Sequence, residues 1–191
     1  MKLTVELISM QPTRRLMQAL LKFATPERYL FTPHDFRALL PDISDAAFKT
    51  LLSRAVQEGH LAHLCRGMYM YEPIAPSNGL LLFHTAARLR ANGFNYISLE
   101  TVLSEAGVIS QIPINWVSIM SSGRSNVISC DRFGTIDFVH TQQRLENIAE
   151  HLHYDSRCKL WRANVPLALR DMRATHRNLD LIDWNIANEF I

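Results

Sequence analysis

The apolar positions of this chain change period along its length, and the changes mark out its elements. From Thr13 to Phe23, Leu16, Met17, Leu20, Leu21 and Phe23 recur at helical spacing, which predicts an amphipathic helix. Between Ser44 and about Glu58 the same period puts Ala47, Phe48, Leu51, Leu52, Ala55 and Val56 on one side. Asp45, Lys49, Thr50, Ser53, Arg54 and Gln57 fall on or near the other. A shorter helix precedes it. Thr32 followed by Pro33 reads as an N-cap and a first helical residue, since the threonine oxygen satisfies an orphan N–H and proline has none to lose. That helix runs through Leu40 until Pro41 forces its predecessor out of the α region, and Ser44 offers the next cap after a turn of about three residues.

Past Gly59, placed as a left-handed helix cap, residues 60–64 and 68–71 read as two short strands around Cys65-Arg66-Gly67. Helix, turn, helix and hairpin in this order predict a winged helix-turn-helix, a motif that lays its second helix in the major groove. On that reading Lys49, Thr50, Ser53, Arg54 and Gln57 address DNA from the helix, and Arg66 reaches a phosphate or the minor groove from the hairpin tip. The bland alternative is a small core cover or a protein-interaction module, which folds of this shape also supply.

Glu72 to Gly79 collects Pro, Ser, Asn and Gly and marks the boundary between a domain at 1–76 and one at 77–191. The second domain opens with a helix from Leu80 to Asn92 closed by Gly93, and Ser98 then caps a helix ending before Gly107. Strands follow at Asn115–Ser121, Val127–Cys130 and Thr135–His140, with turns at Gly123 and Gly134. A short helix at Glu146–His153, a strand at Cys158–Trp161, a helix from Val165 to Ala174 and a last amphipathic stretch, LIDWNIANEFI, complete it. The expected class is α+β, with a mixed α/β second domain around a small antiparallel sheet. Residues 1–11 fit an edge strand or a leader equally well.

Composition narrows the setting. At 191 residues and 48% apolar content the chain holds one or two domains with real cores. It has no apolar run long enough to span a bilayer, no signal peptide, and three widely spaced cysteines, so cytoplasm and no membrane are the expectation. The net charge of +2 is small, but residues 1–75 carry nine Lys or Arg against seven Asp or Glu and the rest is balanced. The excess therefore lies in the half expected to meet a polyanion. Arg14 and Arg15 read as solvated surface, with phosphate contact as the lesser alternative.

Catalytic and metal chemistry find little support. His60, His63 and Cys65 would alternate faces on a strand. His151, His153, Asp155 and Cys158 are a better spaced group, yet read more simply as a polar surface beside a half-buried cysteine. No phosphate loop or nucleophile elbow is present. Ser121-Ser122-Gly123-Arg124-Ser125 fits an anion cradle or a plain hairpin turn. Trp116, Trp161 and Trp184 read as core or interface residues. The expectation is no catalytic residue, no metal and no cofactor.

Taken together, the segments LLSRAVQEGHLAHLCRGMYMYEP, NYISLETVLSEAGVISQIP, a hairpin holding SSGR, and FGTIDFVHT resemble the AbiEi family of type IV toxin–antitoxin antitoxins over roughly residues 30–182. Tyr96-Ile97-Ser98-Leu99-Glu100 with Gly107 and Gln111 is the most specific part. Near the C-terminus Ala168, Leu169 and Asp171 fit the family's run, while Val165-Pro166-Leu167 replaces its charged start. The resemblance implies a non-enzymatic repressor of its own operon, paired with a nucleotidyltransferase-like toxin that the second domain neutralises, directly or indirectly. A stand-alone winged-helix regulator or interaction module without a toxin is the other reading. Because one short recognition helix reads few base pairs, an inverted-repeat operator holding two copies is expected. The apolar tail, Leu181, Ile182, Trp184, Ile186, Phe190 and Ile191, either joins such copies or packs within one.

Overall fold

The computed structural model describes residues 11–38, 40–110 and 115–191. Apart from Gln11, the stretch read as edge strand or leader lies outside the described residues, as does Gln111 of the family resemblance. The chain is α+β and divides into two compact units, Met1–Ser77 and Asn78–Ile191.

The first unit holds α1 (Pro12–Phe23), β1 (Leu30–Phe31), α2 (Pro33–Arg37), α3 (Asp45–Gln57), β2 (Ala62–Cys65) and β3 (Met68–Met70), with a sheet ordered β1-β3-β2 and antiparallel throughout. Thr32 and Asp35 close a capping box on α2: the Thr32 N–H donates to Asp35 Oδ2 at 2.7 Å and the Asp35 N–H donates to Thr32 Oγ1 at 3.4 Å. The helix stops at Arg37, earlier than Leu40. Arg37 itself explains this, since its guanidinium donates to the carbonyls of Leu40 (3.2 Å) and Ile43 (2.7 Å) and so satisfies a turn that further helix would otherwise satisfy. Freed from the helix, Leu40 is fully buried.

Ser44 Oγ then accepts from the Ala47 N–H at 3.3 Å and starts α3. At the other end Gly59, at φ 74°, lets the His60 N–H reach the Ala55 carbonyl at 2.8 Å and its own N–H reach Val56 at 3.1 Å, a Schellman closure. The core gathers Leu16, Leu20, Phe31, Phe36, Phe48, Leu51, Leu52 and Ala55, with Phe36 stacked on Phe31 at 5.2 Å. Cutting Phe36 to alanine there would cost ~3–5 kcal/mol. Three positions expected on buried faces turn outward instead: Ala47, Leu21 at 72% exposure, and Phe23. In α1 the packed stripe is narrower than the apolar one, because only Leu16 and Leu20 are fully buried, with Met17 packed partly buried beside them.

The second unit holds α4 (Leu81–Leu89), β4 (Asn95–Ile97), α5 (Leu99–Glu105), β5 (Trp116–Ser121), β6 (Asn126–Ser129), β7 (Thr135–His140), α6 (Leu145–Ile148), β8 (Leu152–Asp155), β9 (Leu160–Ala163), α7 (Val165–Ala174) and α8 (Trp184–Ala187). The sheet corrects the expectation of a small antiparallel one: six strands run in the order β6-β7-β5-β4-β9-β8, and the pairs β4–β9 and β5–β7 are parallel. The connection through Gly123 is consequently no hairpin, since β7 lies between β5 and β6. β4, buried at all three positions, has no alternation to betray it. The helix after it closes as expected, with Gly107 at φ 74° and the Val108 N–H on the Leu103 carbonyl at 2.8 Å. Gly93, by contrast, is not left-handed, and α4 ends before it at Leu89.

Gly134 ends the turn before β7 at φ 123°, ψ −155°, where an added Cβ would stand 2.1 Å from the Asn115 carbonyl oxygen. Only glycine fits. Among the described residues no helix is long and apolar enough to cross a membrane.

Candidate nucleic-acid interface

The polar side of α3 is a continuous exposed face. Lys49, Thr50, Ser53, Arg54 and Gln57 all lie on it, joined by the small side chains of Ala46 and Ala47 toward its start. The sequence pattern assigned Ala47 to the core, and its exposure widens the face into a strip where few bulky groups hold a partner away. The Thr50 hydroxyl donates to the Ala46 carbonyl at 3.0 Å, leaving its outer lone pairs as acceptors. Arg66 stands exposed in the β2–β3 turn, which Gly67 makes possible at φ 79°.

Five cations of the first unit fall into two sets. Arg15 is tied to Asp42 at 2.7 Å, and Arg37 to Asp45 at 3.1 Å while its guanidinium lies 5.2 Å from the Phe48 ring centroid. These two hold α1, the turn and α3 together, so Arg15 is structural rather than a phosphate contact. Lys49, Arg54 and Arg66, in contrast, have no ion-pair partner among the described residues. Lys49 and Arg54 share the exposed side of α3, and Arg66 stands on the hairpin turn. Its neighbour Glu58 faces His60 at 3.4 Å instead of Arg54.

The hydroxyl-rich loop at 121–125 is not an anion cradle. Ser122 Oγ accepts from the Phe94 N–H (3.1 Å), Ser125 Oγ accepts from the His140 N–H (2.9 Å), and Ser121 Oγ donates to Asn95 Oδ1 (2.6 Å). The arginine that serves it is Arg90, which donates to Ser121 Oγ at 2.7 Å and to the Arg124 carbonyl at 2.6 Å, above the Phe138 ring. These hydroxyls tie the loop to its neighbouring segments.

Other groups considered for metal chemistry also have inward partners. Asp155 accepts from the backbone N–H groups of Arg157 and Cys158 at 3.0 and 3.3 Å and pairs with Arg162 at 3.1 Å. Burial pushes its carboxyl up, but bonds from Cys158 and Arg157 and the charge of Arg162 outweigh that and hold it at about 2. Burial pushes the Cys158 thiol up to about 11, which keeps it from acting as a thiolate. Among the described residues no three His, Cys, Asp or Glu side chains converge as metal ligands.

Sequence reasoning missed a polar seam in the second unit. Ser98 occupies the cap position of α5 without capping it, and its Oγ donates to Asp171 Oδ2 at 2.7 Å, 73 residues away. The cause is local: Leu99 sits at φ 57°, which turns the chain so that Ser98 faces α7. Burial pushes the Asp171 carboxyl up, against the pull of Ser98. Beside it the Ser118 N–H donates to Thr101 Oγ1 (2.7 Å), Ser118 Oγ donates to Glu100 Oε2 (3.1 Å), and Arg177 joins Glu100 (3.5 Å) to Asp137. The alternation of β5 and β7 hinted at one face for Ser118 and Asp137, but nothing local named Arg177.

No protein-family model matches the chain, and no curated protein matches it. Among solved structures, the fold is similar to that of the RV2827C protein from Mycobacterium tuberculosis, with a TM-score of 0.56 at 11% sequence identity. The match covers 84% of this chain and 59% of that one. At that identity the likeness concerns the fold alone.

Proposed function

We propose that this chain is a DNA-binding antitoxin that represses its own operon, the first unit reading DNA and the second neutralising a nucleotidyltransferase-like toxin. The observation that carries the DNA half is the exposure of Lys49, Arg54 and Arg66, none with an ion-pair partner among the described residues, with Thr50, Ser53 and Gln57 exposed on the same side of α3 as the first two. The element order α1, β1, α2, α3 and hairpin supports a winged helix-turn-helix with α3 as the recognition helix. In a major groove Arg and Lys suit guanine, Gln suits adenine, and Ser or Thr suit either. The operon, the repression and the toxin come from the family resemblance in residues 30–182.

Competition binding of the full chain on operator against scrambled DNA tests it. Arg54→Ala should cost ~1–3 kcal/mol of specific binding and relax discrimination at one base pair. Lys49, Ser53 and Arg54 changed together to alanine should leave only weak non-specific binding, and unchanged affinity would take α3 out of the groove. Two copies on an inverted repeat predict that inserting half a helical turn between half-sites weakens binding far more than a full turn of ~10–10.5 bp. Co-expression with the product of a neighbouring nucleotidyltransferase frame tests the toxin half. Growth arrest that the chain does not relieve leaves a stand-alone regulator.

A further inference from the structure

The second unit contains a cavity of about 380 Å³ between the start of α4, α5, the start of β5 and the turn before β7. That lies within the ~300–1,000 Å³ that small-molecule sites occupy. Phe83, Trp116 and Phe133 supply aromatic wall, and Thr101, Glu105 and Asn115 bring polar groups to it. Among the described lining residues Glu105 is the one ionisable side chain.

Its counter-charge is shared. Glu105 pairs with Arg162, but the same guanidinium also serves Asp155 at 3.1 Å, so two carboxylates share one buried cation. Arg157, 3.5 Å from Asp155, is 79% exposed and screened by water. Glu105, half exposed, thus divides its one buried counter-charge with Asp155 at the cavity wall. Burial pushes the Glu105 carboxyl up, against the pull of Arg162 and Arg157.

The aromatic rings tell the same story. Phe83 has Arg162 at 5.7 Å from its ring centroid, and Phe133 has Arg132 at 4.7 Å. Trp116, the strongest cation acceptor of the three, has no cation over its ring among the described residues. A half-exposed carboxylate that shares its counter-charge and a tryptophan with no cation over its ring among the described residues thus line one cavity.

We infer that this cavity binds a small organic cation, an ammonium carried on an aromatic or aliphatic body, with the charge toward Glu105 and Trp116 and the body against the phenylalanines. The site belongs to the second unit, and its proposal does not depend on the DNA reading of the first. Phenethylammonium is the probe and 3-phenylpropionate its charge-reversed counterpart, each titrated into the full-length chain and followed by the Trp116 indole N–H and the Thr101 and Glu105 amides in NMR. The amine should give saturable shifts at these three positions, with the carboxylate at least about tenfold weaker, the ratio that one charge-assisted contact produces. Glu105→Gln should erase that preference. Leu81→Trp, which fills the cavity and leaves the Arg162 pairs in place, should abolish binding of both probes and decides the matter where Glu105→Gln fails to fold. Absence of saturable shifts with the amine, equal binding of the two probes, or full binding to Leu81→Trp would each overturn the proposal.

Discussion

The two units bury different chemistry. Among the described residues every buried polar or charged side chain lies in the second: His84, Thr85, Asn95, Ser98, Thr101, Ser118, Ser121, Asp137, Thr141, Asp155 and Asp171. The first unit has an apolar core and spends its polar groups on helix caps, the Arg15–Asp42 and Arg37–Asp45 ties, and the open face of α3. A core of that kind is held by volume and tolerates surface change; a core stitched by polar pairs is intolerant of losing one partner. The first unit is thus free to vary its exposed face, whereas the second is constrained from within.

The sharpest way to break this contrast is Arg177→Ala. It strands the buried Asp137 and half-buried Glu100, so the second unit should lose ~3–5 kcal/mol in urea unfolding, with protection from hydrogen exchange falling in β7 and α5 but not in α3. A loss under ~1 kcal/mol would make the seam ornamental. Acid gives a second, smaller effect. The Asp155 carboxyl falls from 3.8 to about 2 on folding, so its stabilisation is present above about pH 4 and is lost as the pH drops toward 2. Asp155→Asn should flatten that part of the stability curve, and an unaltered slope would assign the acid sensitivity elsewhere.

In the first unit the expected effects are local and milder. Thr32→Ala removes one half of the capping box and should cost ~1 kcal/mol in the thermal or urea transition, with hydrogen exchange rising first in α2. The triple alanine change at Lys49, Ser53 and Arg54 should leave stability within ~0.5 kcal/mol, because all three are exposed and two are unpaired cations. A marked destabilisation by that change would show that the face contributes to folding.

The same contrast explains what could be read in advance. Thr32-Pro33, Ser44 and Gly59 are signals whose partners lie within four residues, so α2 and α3 were legible, as were the exposed residues from Lys49 to Gln57 and Arg66. The two-residue β1 was too short to show a period. In the second unit β7 was legible from its own composition, but not the sheet order, because parallel pairing of β5 with β7 and β4 with β9 is set by crossover connections. Ser98 looked like a cap because a serine before an apolar run usually is one, and its true partner, Asp171, is invisible to any local rule. The cavity beside Glu105 was illegible for the same reason: its walls come from four separate segments.

The chain's three cysteines, Cys65, Cys130 and Cys158, are all buried, and Cys158 holds its proton up to about pH 11. Toward thiol-seeking reagents the folded molecule is therefore nearly silent. Arg66→Cys would place one reactive sulfur at the exposed turn of the hairpin, and a maleimide dye would find that sulfur ahead of the other three. A single-colour reporter of the hairpin turn thus requires no cysteine to be removed first.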